Sequence, residues 1–226
     1  MRVIFNEELK AVADDLDRMA QDVRKAINGA GDALLNQNLE AAQAVIDGDI
    51  EIDALESSVI DQCVKLLAKQ NPVATDLRVV VSTLRLAATF ERMGDLARHI
   101  AEAARRTYPA SPLPADAQPL LAEMQAFLDH VADQVVSMLN DRDTKTAEEI
   151  ILNDDKLDAL HKKTFELAQS ENWSGTNQQL IDVVLIGRFM ERLGDHAVSA
   201  ARRVGFIVSG FDPSKEPTRD EGTDID

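Results

Sequence analysis

Glu91-Arg92-Met93-Gly94-Asp95 organises the reading of this chain, because the pentad returns further on as Glu191-Arg192-Leu193-Gly194-Asp195. On a helix of 3.6 residues per turn, the first and fifth positions lie side by side on one face. Two like charges so placed repel by roughly 0.2–0.5 kcal/mol unless a cation lies between them. One such pair would mean little in a chain with 40 Asp and Glu against 24 Lys and Arg. A pair that recurs with Arg second and Gly fourth points to a duplicated unit that sets carboxylates on a helix face.

The duplication extends outward from the pentads. Leu16 aligns with Leu121, Met19 with Met124, Ile46 with Ile151 and Asp49 with Asp154. Ile52-Asp53-Ala54-Leu55 aligns with Leu157-Asp158-Ala159-Leu160. The offset drops slightly beyond the next loop, and the pentads then coincide.

Helical periodicity fills in each unit. The first segment is expected from about Asn6, as N-cap with Glu7 and Glu8 in the first turn, to Leu35. Leu9, Val12, Leu16, Met19, Val23, Ile27 and Ala30 form its apolar stripe. Asn38 caps a second helix reaching Gln70, which Gly48 interrupts at a cost of about 1 kcal/mol against Ala. Asn71-Pro72 ends it. A third helix runs to about Arg106, with Leu77, Val80, Val81, Leu84 and Ala88 on one stripe. Below Leu84 its apolar side moves round to Leu86, Phe90, Met93, Ala97 and Ile100. Pro109, Pro112, Pro114 and Pro119 then mark the boundary between the halves. Three more helices are expected: Ala115 to Asn140, Thr144 to Ser170 with Asp143 as cap, and Thr176 to Ser209 with a Thr176/Gln179 capping box. Trp173 is expected to plug the joint between the last two. The expected class is all-α, a tandem duplication of a three-helix bundle with six long helices: a first bundle over 1–106, a Pro-rich linker over 107–114, a second bundle over 115–209, and a disordered acidic tail over 210–226.

Composition narrows the function. With 45% apolar and 28% charged residues the chain can bury a core. A net charge of −16 argues against nucleic-acid binding, which needs a basic footprint. No apolar run approaches a membrane span, so direct insertion is not expected. Cys63 is the sole cysteine, read as a small buried apolar residue in a cytoplasmic protein.

The candidate site consists of four aligned carboxylate pairs: Asp49/Asp53, Glu91/Asp95, Asp154/Asp158 and Glu191/Asp195. Counted from the loop near Asn71, the first two pairs lie about 20 and about 22 residues away, on antiparallel helices. At 1.5 Å per residue they reach one level to within about 3–5 Å. The pairs of the second half match in the same way about Trp173. Glu91 and Asp95 continue the Leu77-Val81-Leu84-Ala88 stripe, which places them at a groove; the competing reading is a solvated face on which Arg92 and Arg98, or Arg188 and Arg192, neutralise the pentads. Oxygen ligands suit Mg, Ca, Mn or Fe, and several carboxylates could bridge more than one ion. A ferritin-like di-metal enzyme would need Glu-x-x-His on two helices; only Asp158-x-x-His161 approaches this. A metal-free helical adaptor, with solvated acidic faces, is the other alternative. His99, His130 and His196 read as surface or packing residues.

The two pentads, Asp49-x-x-Ile52-Asp53-x-Leu55-Glu56 and Pro72-x-x-x-Asp76-Leu77-Arg78 together resemble the PhoU family of phosphate-signalling regulators, from Phe5 to about Ser209. The resemblance implies two tandem three-helix bundles and metal clusters on the acidic pairs, with iron favoured and Mn, Mg, Zn or Ca as other candidates, in multinuclear form. Glu56 and His161 join the ligand set at lower rank. It implies no catalysis. It implies an adaptor that damps phosphate uptake and the phosphate-starvation response, between a sensor histidine kinase and the ATPase subunit of a phosphate ABC transporter. A cytoplasmic homodimer, held peripherally at the inner membrane face through these partners, belongs to the same expectation. The second half departs from the pattern. Thr176-Asn177-Gln178 stands where Asp76-Leu77-Arg78 stood, and His161 and His196 replace Glu56 and Leu96. A second site of mixed oxygen and nitrogen ligands follows from that asymmetry.

Overall fold

The computed structural model describes residues 2–210, with side chains from Phe5 onward. The fold is all-α: α1 (Arg2–Asn36), α2 (Leu39–Gln70), α3 (Ala74–Thr107), α4 (Gln118–Asp141), α5 (Thr144–Ala168) and α6 (Asn177–Ser209), with no strand among the described residues. The expected acidic tail lies outside the described residues beyond Gly210.

Most ends obey local chemistry. Asn38 accepts from the Ala41 amide and Asp143 from the Lys145 amide, and Thr176 forms a complete capping box with Gln179. Two ends correct the expectation. α1 begins at Arg2, not at an Asn6 cap. Phe5 is buried and extends the Leu9-Val12-Leu16 stripe by one turn, so packing carries the helix past the potential cap. α4 begins at Gln118 rather than Ala115; residues 115–117 form a turn closed by the Ala117 amide on the Pro114 carbonyl. Gly48 does not break α2, which is continuous through it.

The core stripe of α3 also differs from expectation. Val80, Thr83, Leu86, Ala87, Phe90, Met93, Ala97 and Ile100 are buried in one continuous band, while Leu77 and Val81 are exposed. The stripe therefore does not change sides at Leu84. α3 packs against α1, α2 and α6 at once, so apolar residues occupy a wide arc and period alone does not rank them. Full burial of Phe90, Met93 and Ile100 contributes roughly 1.5–3 kcal/mol each.

Helices α1–α3 pack mutually, as do α4–α6, and the halves meet through α3 on α6 and α1 on α4. α2 and α5 each touch only their own half. The α1–α4 seam is pinned by Gln125, whose amide donates to the Ile27 carbonyl at 3.1 Å beside Gly31. The α3–α6 seam is antiparallel. Arg78 at the start of α3 donates to the Ile207 carbonyl at the end of α6 (3.1 Å), which assigns Arg78 a helix-capping role. At the other end Arg106 pairs with the buried Asp182 at 2.5 Å. His99 stacks on Phe189 between them. This register carries both pentads to the middle of the seam. Trp173 packs at the α5–α6 joint against Gly175, with Pro114 close by.

Candidate functional site

Each pentad glycine lets its helix close on the neighbour that bears the partner acidic pair. A Cβ on Gly94 would lie 3.0 Å from Ile52 Cδ1 and 3.4 Å from Asp49 Oδ1. A Cβ on Gly194 would lie 2.5 Å from Leu157 Cδ2 and 3.5 Å from Asp154 Oδ1. The same contact thus occurs in both halves. It brings Asp49 level with Glu91/Asp95, and Asp154 level with Glu191/Asp195.

The first cluster gathers Asp49, Asp53, Glu56, Glu91 and Asp95 on α2 and α3. It contains its own cation. Arg98 Nε is 2.6 Å from Asp49 Oδ2, its Nη2 is 2.6 Å from Asp95 Oδ1, and its Nη1 is 2.9 Å from Glu102. Burial opposes ionisation of Asp95, yet the Arg98 hydrogen bond and charge hold its carboxyl below the usual range. At Asp49, burial outweighs Arg98, with Asp53 and Asp95 adding repulsion, and the pKa rises. Glu56 and Glu91 rise too, through burial and then through Asp53 and Asp95 respectively.

The second cluster gathers Asp154, Asp158, Glu191 and Asp195 beside His161. No guanidinium bridges its two helices as Arg98 does in the first, because Val198 occupies that position; Arg188 pairs with Glu191 alone. Burial, followed by Asp158, Asp195 and Asp155, pushes the Asp154 carboxyl up to about 6, with only Arg202 opposing. Burial and then Asp195 raise Glu191, although Arg188 Nη1 lies 2.6 Å from both of its carboxylate oxygens. Burial and then Arg188 lower the pKa of His161, which keeps the imidazole neutral. Its Nε2 is buried without a hydrogen-bond partner.

These features bear on whether a metal ion fits. Among the described residues, no three His, Cys, Asp or Glu side chains stand close enough together, as oriented, to hold one. In the second half, carboxylates with raised pKa values and an orphaned imidazole nitrogen provide a mixed oxygen–nitrogen donor set that suits a borderline divalent cation after side-chain reorientation. In the first half, Arg98 already compensates Asp49 and Asp95.

Three further features lie outside the two clusters or between them. The Arg106–Asp182 pair was missed in the sequence; its signal was a carboxylate next to Val183 and four residues before Ile186 on the buried face. Cys63 is fully buried, and burial pushes its thiol up to about 11. Between the two clusters, Arg92, Asp95, Leu96 and His99 of α3 meet Arg192 and His196 of α6 around a cavity of about 340 Å³. That convergence was also missed, although the Arg one residue after the first carboxylate of each pair leaves the helix about 100° round from it, on the side where a neighbouring helix can lie.

The family model described as "PhoU domain" matches residues 16–104 and 121–204, one span in each half. The chain belongs to the PhoU family. Over 216 residues it is 34% identical to "phosphate-specific transport system accessory protein PhoU homolog 1" of Mycobacterium leprae, covering 96% of this chain and 97% of that protein. It is 35% identical over 213 residues to PhoU homolog 2 of Mycobacterium tuberculosis, covering 94% of this chain and 100% of that one. The crystal structure of PhoU from Pseudomonas aeruginosa shares the fold, with a TM-score of 0.82 at 24% identity over 92% of this chain and 100% of that chain. No helix among the described residues is long and apolar enough to cross a membrane.

Proposed function

We propose that this protein is an accessory regulator of phosphate transport that restrains uptake and the phosphate-starvation response when phosphate is ample. Its membership of the PhoU family and the names of its relatives support that reading. Within it, the second cluster is the metal centre, with Asp154, Asp158, Glu191 and Asp195 as oxygen donors and His161 as the nitrogen donor. The observation that carries this is the pairing of an Asp154 carboxyl raised to about 6 with the unpartnered, buried His161 Nε2. A cation bound there would relieve the mutual repulsion of the carboxylates. The first cluster, Asp49, Asp53, Glu56, Glu91 and Asp95, takes a metal only where the ion displaces Arg98. The chain performs no reaction in this reading. It acts as an adaptor, through a homodimer, on a sensor histidine kinase and a transporter ATPase. The exposed apolar residues Ile60, Val64, Leu77 and Val81 near the α2–α3 turn supply a surface for protein contact.

Metal analysis of protein purified without chelator tests the centre. Glu191→Ala/Asp195→Ala should lose most of the bound metal, and Glu91→Ala/Asp95→Ala should lose less. Equal metal content in wild type and the Glu191/Asp195 variant refutes the assignment. Deletion of the gene should derepress phosphate-starvation genes in high phosphate; normal repression refutes the regulatory reading.

A further inference from the structure

The arginines of both pentads line the α3–α6 seam, Arg92 while still paired with Asp95 at 3.3 Å. The register that pairs Arg106 with Asp182 and His99 with Phe189 sets Arg92 level with His196, and Leu96 level with Arg192. The cavity there holds two guanidiniums and two imidazoles around about 340 Å³, against roughly 30 Å³ for one water in the liquid. Its one carboxylate, Asp95, is compensated from outside by Arg98 at 2.6 Å. Arg92 is largely exposed and pairs with Asp95 at 3.3 Å and Glu91 at 3.7 Å, whereas Arg192, which also lines the cavity, forms no salt bridge among the described residues. A cavity with surplus cations is therefore present in a chain of net charge −16.

We propose that this cavity binds a phosphate dianion, with free inorganic phosphate as the ligand. Two planar guanidiniums on opposite walls match a tetrahedral oxyanion, because each can donate two parallel hydrogen bonds. Asp95 supplies the selectivity. Hydrogen phosphate still carries an O–H, which a carboxylate accepts; sulfate carries none and would face Asp95 with lone pairs only. A site built to accept that proton rejects the analogue lacking it. Both halves contribute residues, so a bound anion ties α3 to α6 and links ligand occupancy to the angle between the two bundles. The inference rests on the phosphate-regulator reading for its physiological sense, and needs no metal.

Equilibrium dialysis of the full chain with radiolabelled orthophosphate in excess chelator tests it. One phosphate per chain should bind saturably. Arg192→Gln and Arg92→Gln should each weaken binding at least tenfold, and Arg18→Gln, outside the cavity, should leave it unchanged. Sulfate should compete at least tenfold more weakly than phosphate, and glycerol 3-phosphate more weakly than orthophosphate. Absence of saturable binding, or binding indifferent to both cavity arginines, overturns the proposal. Equal competition by sulfate overturns the role of Asp95, and tighter binding of the ester overturns the choice of free phosphate. Binding that appears only when metal is restored assigns the anion to the metal centre; this overturns the cavity proposal and leaves the metal reading standing.

Discussion

Asp154→Asn should make the metal-free protein more stable at neutral pH, which is unusual for a substitution at a half-buried position. In the folded chain the Asp154 carboxyl sits at about 6, raised from 3.8 by burial first and by Asp158, Asp195 and Asp155 second. One unit corresponds to about 1.4 kcal/mol, so the upper bound on the cost of its charge is about 3 kcal/mol. Solvent screening and coupling to Asp158 reduce this to about 1–2 kcal/mol. The folded state holds this proton more tightly than the unfolded state. The penalty is therefore absent below about pH 4, grows as pH rises to about 6, and is complete above it. Asn carries no charge and escapes the penalty. Urea unfolding in chelator at pH 7.5 should show a higher midpoint for the variant at unchanged slope, with the gain vanishing at pH 4. Asp49→Asn should gain less, because Arg98 at 2.6 Å offsets part of the burial cost at that position. Added divalent metal should stabilise the wild type by about 2.7 kcal/mol at one hundred times Kd, seen as a higher midpoint, and should leave Asp154→Asn unmoved. A variant no more stable than wild type at pH 7.5, or an equal gain for Asp49→Asn, refutes the electrostatic reasoning.

Other perturbations follow from the packing. Gly48→Ala should stabilise the protein by about 1 kcal/mol, since no atom lies within 4 Å of the added Cβ and α2 is continuous there; a lower thermal midpoint refutes this. Arg106→Ala should cost about 1–3 kcal/mol by leaving Asp182 buried without its cation, and adding Asp182→Asn should recover much of the loss. A denaturation midpoint for Arg106→Ala indistinguishable from wild type tells against the pair. Gly194→Ala should cost about 1–3 kcal/mol, because its Cβ would lie 2.5 Å from Leu157 Cδ2, and it should also lower metal content by prising α6 from α5. Cys63 should resist a thiol reagent at pH 8 until the chain unfolds, as its thiol is fully buried and titrates near 11.

Much of this protein is written in local pattern. Six helices, three of their caps and the duplicated order are legible because period, capping chemistry and repeated motifs act over a few residues or survive as literal sequence. The level match of Asp49 with Glu91/Asp95 was legible too, since helix rise is a constant and the turn at Asn71 fixes the origin. Tertiary structure decided which residues face what. Leu77 and Val80 belong to the same apolar arc, yet only Val80 is buried, because the position of α1 and α6 around α3 selects among apolar residues that period treats alike. Arg98 could be placed near the pentad from the chain, but its simultaneous hold on Asp49 and Asp95 requires α2 to lie against Gly94. The pentads illustrate the division. Their sequence determined that two carboxylates share one helix face and that an arginine leaves the helix about 100° round from the first of them. Only the antiparallel α3–α6 seam, set by contacts such as Arg106–Asp182 between residues far apart in the chain, brought those arginines together around one cavity.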